Sequence, residues 1–167
     1  MEEAREGVQG EGIALVLDSN ILFSIVIAGN RSRAYRIIEK YELNLFMPEE
    51  SLIEFHRYAE KLKRYAIKGF ETKVMLAFMP VHIVPRELYE DRLREAYTIA
   101  GEFDPKDTPF IALALKLDVP IWTEDKDIIK YGIQTQEYIA LDTTAVEKLL
   151  SGEGIENVLR DLISRLK

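Results

Sequence analysis

Apolar residues in this chain occur either in short continuous runs or at helical spacing, and the two patterns alternate. The clearest run, residues 13–17, contains only Ile, Ala, Leu and Val and ends abruptly at Asp18. A run of this kind predicts a strand that is buried on both faces of a parallel sheet. Further short apolar runs predict strands at residues 43–47, 81–84, 119–123 and 136–141.

Amphipathic segments separate these strands and predict helices. They cover residues 20–27, 32–41, 48–67, 70–79, 85–100, 106–117, 125–131 and 144–150. Ser19 and Asn20 can each cap the first helix, and Pro48 and Pro85 open two others at the first helical position. Gly132 is expected to close the helix over residues 125–131. This alternation predicts a three-layer α/β/α fold around a parallel sheet.

The pattern divides the chain into three parts. Residues 1–12 are acidic and glycine-bearing and predict a flexible tail, whereas residues 13–150 predict one folded domain. A break at residues 151–154 precedes a last helix with an apolar stripe that includes Val158, Leu162 and Ile163. This stripe either packs back onto the domain or forms a homodimer interface.

Composition narrows the class of protein. The 167 residues suit one globular domain, and the absence of Cys excludes disulfides, thiolate metal ligands and a Cys nucleophile. No apolar run approaches the roughly 18 residues of a membrane span, and no signal peptide is recognisable, so we expect a cytoplasmic protein. His56 and His82 are the only histidines, and each fits an ordinary helix or strand pattern, which disfavours a Ser–His–Asp site.

The net charge of −7 argues against a nucleic-acid partner until its distribution is considered. Residues 31–40 and 56–73 are locally basic, and either could be a solvated helix face. If they flank an acidic cleft, they would bind a phosphate backbone. The candidate RNA-backbone contacts are Arg31, Arg33, Arg57, Lys61 and Arg64.

Asp18 is the strongest candidate for a functional acid. A charge directly after a doubly buried strand is expensive unless it has a partner, and the carboxyl ends of parallel strands are where α/β proteins bind ligands. The alternative role is a helix N-cap, which Ser19 or Asn20 can fill instead. Asn20 is a candidate for a hydrogen bond that orients the site.

Three later segments contribute further acids. Glu54 lies near the margin of the apolar stripe of its helix. Asp104, before a proline, fits an N-cap, whereas Asp107 shares the buried helix face and is the better site candidate. Asp125 follows a strand, as Asp18 does, although a cap explains it too.

Several carboxylates in one cleft would repel one another, by roughly 4 kcal/mol for two charges about 4 Å apart at an effective dielectric near 20. A bound cation would relieve this repulsion. Oxygen ligands without Cys or His favour Mg²⁺ or Mn²⁺ over zinc, and such ions support phosphodiester hydrolysis.

The segments VLDSN, SLIEF, DPKDTPFIALAL and PIWTEDKDI, in this order, resemble the PIN-domain ribonucleases, which include the toxins of bacterial and archaeal toxin–antitoxin pairs. The resemblance implies a five-stranded parallel sheet and endonucleolytic cleavage of RNA, expected to be single-stranded. An antitoxin-like protein inhibitor is a possible partner. The implied ligands of Mg²⁺ or Mn²⁺ are Asp18, Glu54, Asp107 and Asp125, with Asp104 as an extra acid and Asn20 beside the first Asp.

Two other interpretations stay open. A Mg²⁺-dependent phosphatase of the aspartyl-phosphate type also has an Asp after the first strand, but it usually needs a second Asp two positions on, where this chain has Asn20. A non-catalytic module with the same fold could bind RNA or a protein, although such a module has no need of four acidic positions.

Overall fold

A computed structural model describes residues 12–66 and 68–167. The strands are β1 (Ile13–Leu17), β2 (Leu43–Pro48), β3 (Val81–Val84), β4 (Ile121–Trp122) and β5 (Ala140–Leu141). The α-helices of this part of the chain are α1 (Ser19–Ala28), α2 (Arg33–Lys40), α3 (Glu50–Ala66), α4 (Phe70–Phe78), α5 (Leu93–Ala100), α6 (Thr108–Leu117), α7 (Lys126–Thr135), α8 (Thr143–Leu150) and α9 (Ile155–Leu166). Short 3₁₀ helices span Gly29–Arg31, Arg86–Leu88, Glu90–Arg92 and Pro105–Asp107.

All five strands run parallel, in the order β3-β2-β1-β4-β5. The chain builds the sheet outwards from β1 to β3 on one side and then returns to the other side of β1 with β4. The carboxyl ends of β1 and β4 therefore meet where the strand order reverses, with Val16 beside Ile121 and Leu17 beside Trp122. Ligands bind at this position in open α/β sheets.

The centre of the sheet is covered on both faces. Leu15, Val16 and Leu17 are fully buried, and successive side chains of a strand point to opposite faces. Helices must therefore pack on both sides of β1, which confirms the predicted three-layer α/β/α fold. Trp122 on β4 is also fully buried, and its indole N–H donates to Thr143 Oγ1 at 3.0 Å.

Two predicted helix boundaries at prolines are wrong. Pro48 belongs to β2, in register with Val84, and the helix begins only at Glu50. Residues 85–100 do not form one helix, because two 3₁₀ turns precede α5. The side chain of Tyr89 is fully buried in this segment and its hydroxyl donates to Glu50, so a tertiary contact holds these turns against the start of α3.

Gly132 does not end α7, contrary to prediction. The helix continues to Thr135 and is closed by Gln136, which has a left-handed backbone with φ of 59°. Glycine is required at position 132 for a different reason. A Cβ atom at position 132 would lie 2.9 Å from Cε1 of the Tyr138 ring and 3.0 Å from the backbone carbonyl oxygen of Tyr138.

The last helix, α9, packs against the domain. Val158 and Leu162 are fully buried, and the guanidinium of Arg165 donates to both carboxylate oxygens of Asp142, at 2.5 and 3.2 Å. The predicted N-terminal tail lies outside the described residues except for residue 12. In the described part of the chain, none of the helices has the length and apolar character needed to cross a bilayer.

Candidate active site

Asp18 occupies the turn between β1 and α1, and only 7% of its surface is exposed. One carboxylate oxygen accepts the Ser19 N–H at 2.8 Å, so Asp18 is itself the N-cap of α1. The prediction that Ser19 or Asn20 would cap this helix is therefore wrong. The second oxygen points the other way and accepts the hydroxyl of Thr123 at 2.5 Å.

Thr123 connects the two strand ends. It lies directly after β4 and is fully buried, and its Oγ1 also accepts the backbone N–H of Asp125 at 3.0 Å. Because the hydroxyl receives this N–H, its own proton is directed to Asp18. Nothing in the sequence pattern identified Thr123, since its role depends on β4 lying beside β1. It fixes the orientation of the Asp18 carboxylate.

Burial raises the pKa of Asp18 from 3.8 to about 6, despite the opposing hydrogen bonds from Thr123 and Ser19. The charges of Glu54 and Asp125 raise it further. A carboxylate in these surroundings holds its proton to near-neutral pH unless a cation lies nearby.

Asp107 is the second strongly perturbed acid. It immediately precedes α6, but its carboxylate caps no helix N–H, in contrast to Asp104, whose Oδ1 accepts the Lys106 N–H at 3.0 Å. Burial raises the pKa of Asp107 to about 7, and the charges of other acids, led by Asp18 and Asp104, add to this effect. Local capping therefore explains Asp104 but leaves Asp107 without a structural role.

Glu54 lies on α3, one turn beyond its start, and faces Asp18. Burial raises the pKa of Glu54, and this rise is opposed by the Ser19 hydroxyl and by the charges of Arg57 and Lys106. Although Ser19 Oγ is close to Glu54, it is buried and makes no full hydrogen bond within the described ranges. A buried hydroxyl without a partner beside two acids is typical of a site that takes a polar ligand.

Asp125 combines two roles. Its Oδ1 caps α7 by accepting the N–H groups of Asp127 at 2.9 Å and Ile128 at 3.4 Å. The charge of Asp125 also raises the pKa values of Asp18 and Asp107, so the residue contributes to the same negative field. The capping role that the sequence indicated is real but does not remove Asp125 from the site.

A cleft of about 890 Å³ opens beside these acids, between α3, α5 and the start of α6. Its acidic wall contains Glu54, Asp104 and Asp107. Its other charged residues are Glu50, Arg57, Arg86, Arg94 and Lys106, and its aromatic residues include Tyr58 and Tyr97. The acids thus lie at one side of a groove in which cations and tyrosines are also present.

The sequence model of the PIN-domain family matches residues 16–151 of the chain. The chain belongs to the PIN-domain family. None of the curated proteins compared with it matches. PIN domains are typically nucleases, which generally use divalent metals and act on RNA.

The donor chemistry of this PIN domain suits a hard divalent cation, because the grouped side chains are carboxylates with a hydroxyl beside them. The side chains do not, however, surround one point: within residues 12–66 and 68–167, no three His, Cys, Asp or Glu side chains are arranged to hold one ion. The charges of these acids raise one another's pKa values, although in the described ranges the carboxylates do not converge on one point.

The predicted residue Asn20 lies away from the main cleft. Asn20 is exposed and lines a smaller groove of about 340 Å³ with Arg33 and Glu124. Glu124 accepts the Thr143 N–H at 2.6 Å, at the start of α8, whose N-cap is Asp142. Neither Asn20 nor Glu124 is among the charges and hydrogen bonds that perturb Asp18.

Of the five predicted RNA-backbone contacts, the structure brings Arg57 to the main cleft. Arg33 is engaged elsewhere, with Glu147 at 3.0 Å and Thr144 at 3.1 Å. Three cations that line the cleft, Arg86, Arg94 and Lys106, were missed. They are scattered singly along the sequence, so charge clustering could not reveal them.

Proposed function

We propose that this PIN domain is a divalent-metal-dependent endoribonuclease that hydrolyses phosphodiester bonds of RNA. In this proposal Mg²⁺ or Mn²⁺ is held by the carboxylates of Asp18, Glu54, Asp107 and Asp125, with Asp104 nearby. When bound, such an ion supplies an activated water and stabilises charge on the scissile phosphate.

The observation that carries the proposal is that acids from separate segments of the chain converge beside one cleft. Burial raises the pKa of Asp107 to about 7, and the charges of four other acids, namely Asp18, Asp104, Asp125 and Glu54, raise it as well. Those acids come from four separate segments of the chain, and a structural cap explains only some of them. Strongly perturbed acids at the edge of a cleft are typical of functional sites. A bound cation would relieve the repulsion between these carboxylates.

The chain's own groups have distinct tasks in this proposal. Thr123 orients Asp18, and its hydrogen bond favours the ionised carboxylate that a metal requires. Arg57 and Lys106, whose charges lower the pKa of Glu54, lie where a phosphate backbone would approach the acids. Metal ions bind deprotonated carboxylates, so they compete with protons at Asp18 and Asp107 near neutral pH.

Two biological roles would use this chemistry. As a toxin of the toxin–antitoxin type, the protein would cleave cellular RNA and be held by an antitoxin-like inhibitor. As an RNA-processing nuclease, it would act on a defined transcript. Both forms need the same acids, and both are compatible with a homodimer.

The test is cleavage of an internally labelled single-stranded RNA at pH 8 with Mg²⁺, Mn²⁺ or EDTA. We expect internal cuts that require the metal and that fall by roughly 10²-fold or more in Asp18→Asn and Asp107→Asn. Asp118→Asn is the matched control: Asp118 is exposed at the end of α6 with φ of 54°, a conformation that Asn tolerates well.

Cleavage by Asp18→Asn at the wild-type rate would contradict the proposal, as would a wild-type protein that cuts no RNA with either ion. A phosphomonoester substrate assayed in parallel separates the remaining alternatives. Release of inorganic phosphate without RNA cleavage would favour the phosphatase, and RNA binding without either reaction would favour the non-catalytic module.

A further inference from the structure

Two helices bring the same pair of residue types to the cleft. On α3, Arg57 and Tyr58 follow Glu54 by three and four positions, so they lie on the same side of the helix as this acid. On α5, Arg94 and Tyr97 are three positions apart and also line the cleft. Each wall therefore offers one guanidinium and one phenol ring.

The rings of Tyr58 and Tyr97 are exposed to solvent and are not buried in the hydrophobic core. Tyr58 is 36% exposed and Tyr97 61% exposed. The Tyr58 ring is steadied from behind by Phe23, with centroids 6.1 Å apart in an edge-to-face arrangement. Exposed aromatic faces beside cations are the elements with which proteins bind unpaired bases, because every base has a face that can stack.

Among the described residues, three cations of the cleft are outside ion pairs, whereas Arg86 pairs with Glu50 at 3.9 Å. The ion pairs within the described part of the chain use neither Arg57, Arg94 nor Lys106. Arg57 and Lys106 lie close enough to Glu54 to lower its pKa. A phosphate that they bind would therefore lie next to the acidic wall. A volume of about 890 Å³ is near the upper end of the roughly 300–1,000 Å³ that is usual for ligand pockets.

We propose that Tyr97 and Tyr58, with Arg94 and Arg57, form a subsite that stacks unpaired bases and so positions the strand's phosphate at the acids. This inference rests on the proposed function, because it assigns the cleft as the path by which a strand reaches the carboxylates. It identifies Tyr97 as the main determinant of substrate positioning, since Tyr97 is the more exposed ring. Bases in a duplex have no free face for this contact.

The test is binding of a fluorescein-labelled single-stranded RNA, followed by anisotropy, to the full chain carrying Asp18→Asn so that the strand stays intact. We expect Tyr97→Ala to weaken binding by roughly 5- to 150-fold and Tyr97→Phe to keep it. Tyr65→Ala is the matched control, because Tyr65 is 60% exposed and does not line the cleft. Arg94→Ala should lower the slope of log affinity against log salt by about 0.7.

The subsite would be overturned by unchanged binding in both Tyr97→Ala and Tyr58→Ala, or by no binding of the single strand at all. Equal losses in Tyr97→Ala and Tyr65→Ala would also overturn it. Cleavage by the unvaried chain is measured beside these assays. Binding that depends on the tyrosines, without cleavage, would support the subsite and contradict the proposed nuclease activity. Cleavage together with binding that does not depend on the tyrosines would support the nuclease and contradict the subsite.

Discussion

Replacing Asp18 by Asn is expected to stabilise the metal-free protein at alkaline pH, although it should abolish activity. The metal-free fold buries the Asp18 charge beside other acids, and Asn removes that charge while keeping the shape of the group. The Asn oxygen can still accept the Ser19 N–H, and its amide can donate to Thr123 Oγ1. A residue needed only for folding would give the opposite result.

The magnitude follows from the pKa of Asp18, which burial raises from 3.8 to about 6. Between these values the folded protein holds a proton that the unfolded chain has lost, so the free energy of unfolding falls as the pH rises through this window. At about 1.4 kcal/mol per pH unit, the wild type loses about 3 kcal/mol. The variant lacks this loss. Because pH 4 is already just above the unfolded pKa of 3.8, the advantage of the variant over the wild type should grow by about 2.4 kcal/mol, or roughly 5–10 °C, between pH 4 and pH 8.

Urea unfolding of both proteins in EDTA across this pH range measures the difference. Asp118→Asn should change the free energy of unfolding by less than about 0.5 kcal/mol at every pH. An Asp18→Asn advantage that is the same at pH 4 and pH 8 would refute the reasoning, because burial of the charge would then have no measurable effect.

A divalent cation should offset most of the stability that the wild type loses at Asp18. A divalent cation at 100 times its dissociation constant adds about 2.7 kcal/mol to a protein that binds it only in the folded state. Mg²⁺ or Mn²⁺ should therefore raise the melting temperature of the wild type more than that of Asp18→Asn. Equal shifts in both proteins would remove Asp18 from the metal site.

Two further predictions concern the support of the site and the last helix. Thr123→Val deletes a buried hydrogen bond to a charged group. In urea unfolding it should lower the free energy of unfolding by roughly 1.5–3 kcal/mol at pH 8 and by less at pH 5. Thr123→Ser keeps the hydroxyl and is the control, so an equal loss in both variants would show that packing matters instead. Ile163→Glu places a charge on the exposed side of α9, which leaves Val158 and Leu162 in the core. If α9 forms the predicted homodimer interface, light scattering should show half the wild-type mass; a wild-type mass in the variant would rule out that interface.

The sequence indicated the acids of the site because their positions depend on local pattern. Asp18 ends an apolar run, and Asp107 directly precedes the buried face of α6, so strand ends and helical spacing were sufficient to name both as candidates. No local pattern predicted the role of Thr123. Its hydrogen bond to Asp18 depends on β4 lying beside β1, and the two residues are more than 100 positions apart in the sequence.

The fold was predicted best where one local signal dominates. The bounds of β3 match the predicted run of residues 81–84, and the alternation of strands and helices predicted the layers correctly. The errors at Pro48 and in residues 85–92 arise from tertiary contacts. Proline can end an inner strand here because the next N–H, that of Glu49, donates to the Val84 carbonyl at 3.0 Å. The Tyr89–Glu50 hydrogen bond holds the following turns against α3.

The net charge of −7 is a poor guide to this protein's partner because charge is sorted by position. The acids lie at the carboxyl ends of β1 and β4 and at the start of α6, where they face one another and repel nucleic acid. Arg57 and Arg94 lie on the helices that form the walls of the same cleft, as do the two tyrosines. A strand in the proposed subsite would contact these cations and rings. In the proposed function the phosphate approaches the acids only with a divalent cation between them, so cleavage depends on the metal, while the cations and tyrosines hold the strand without it.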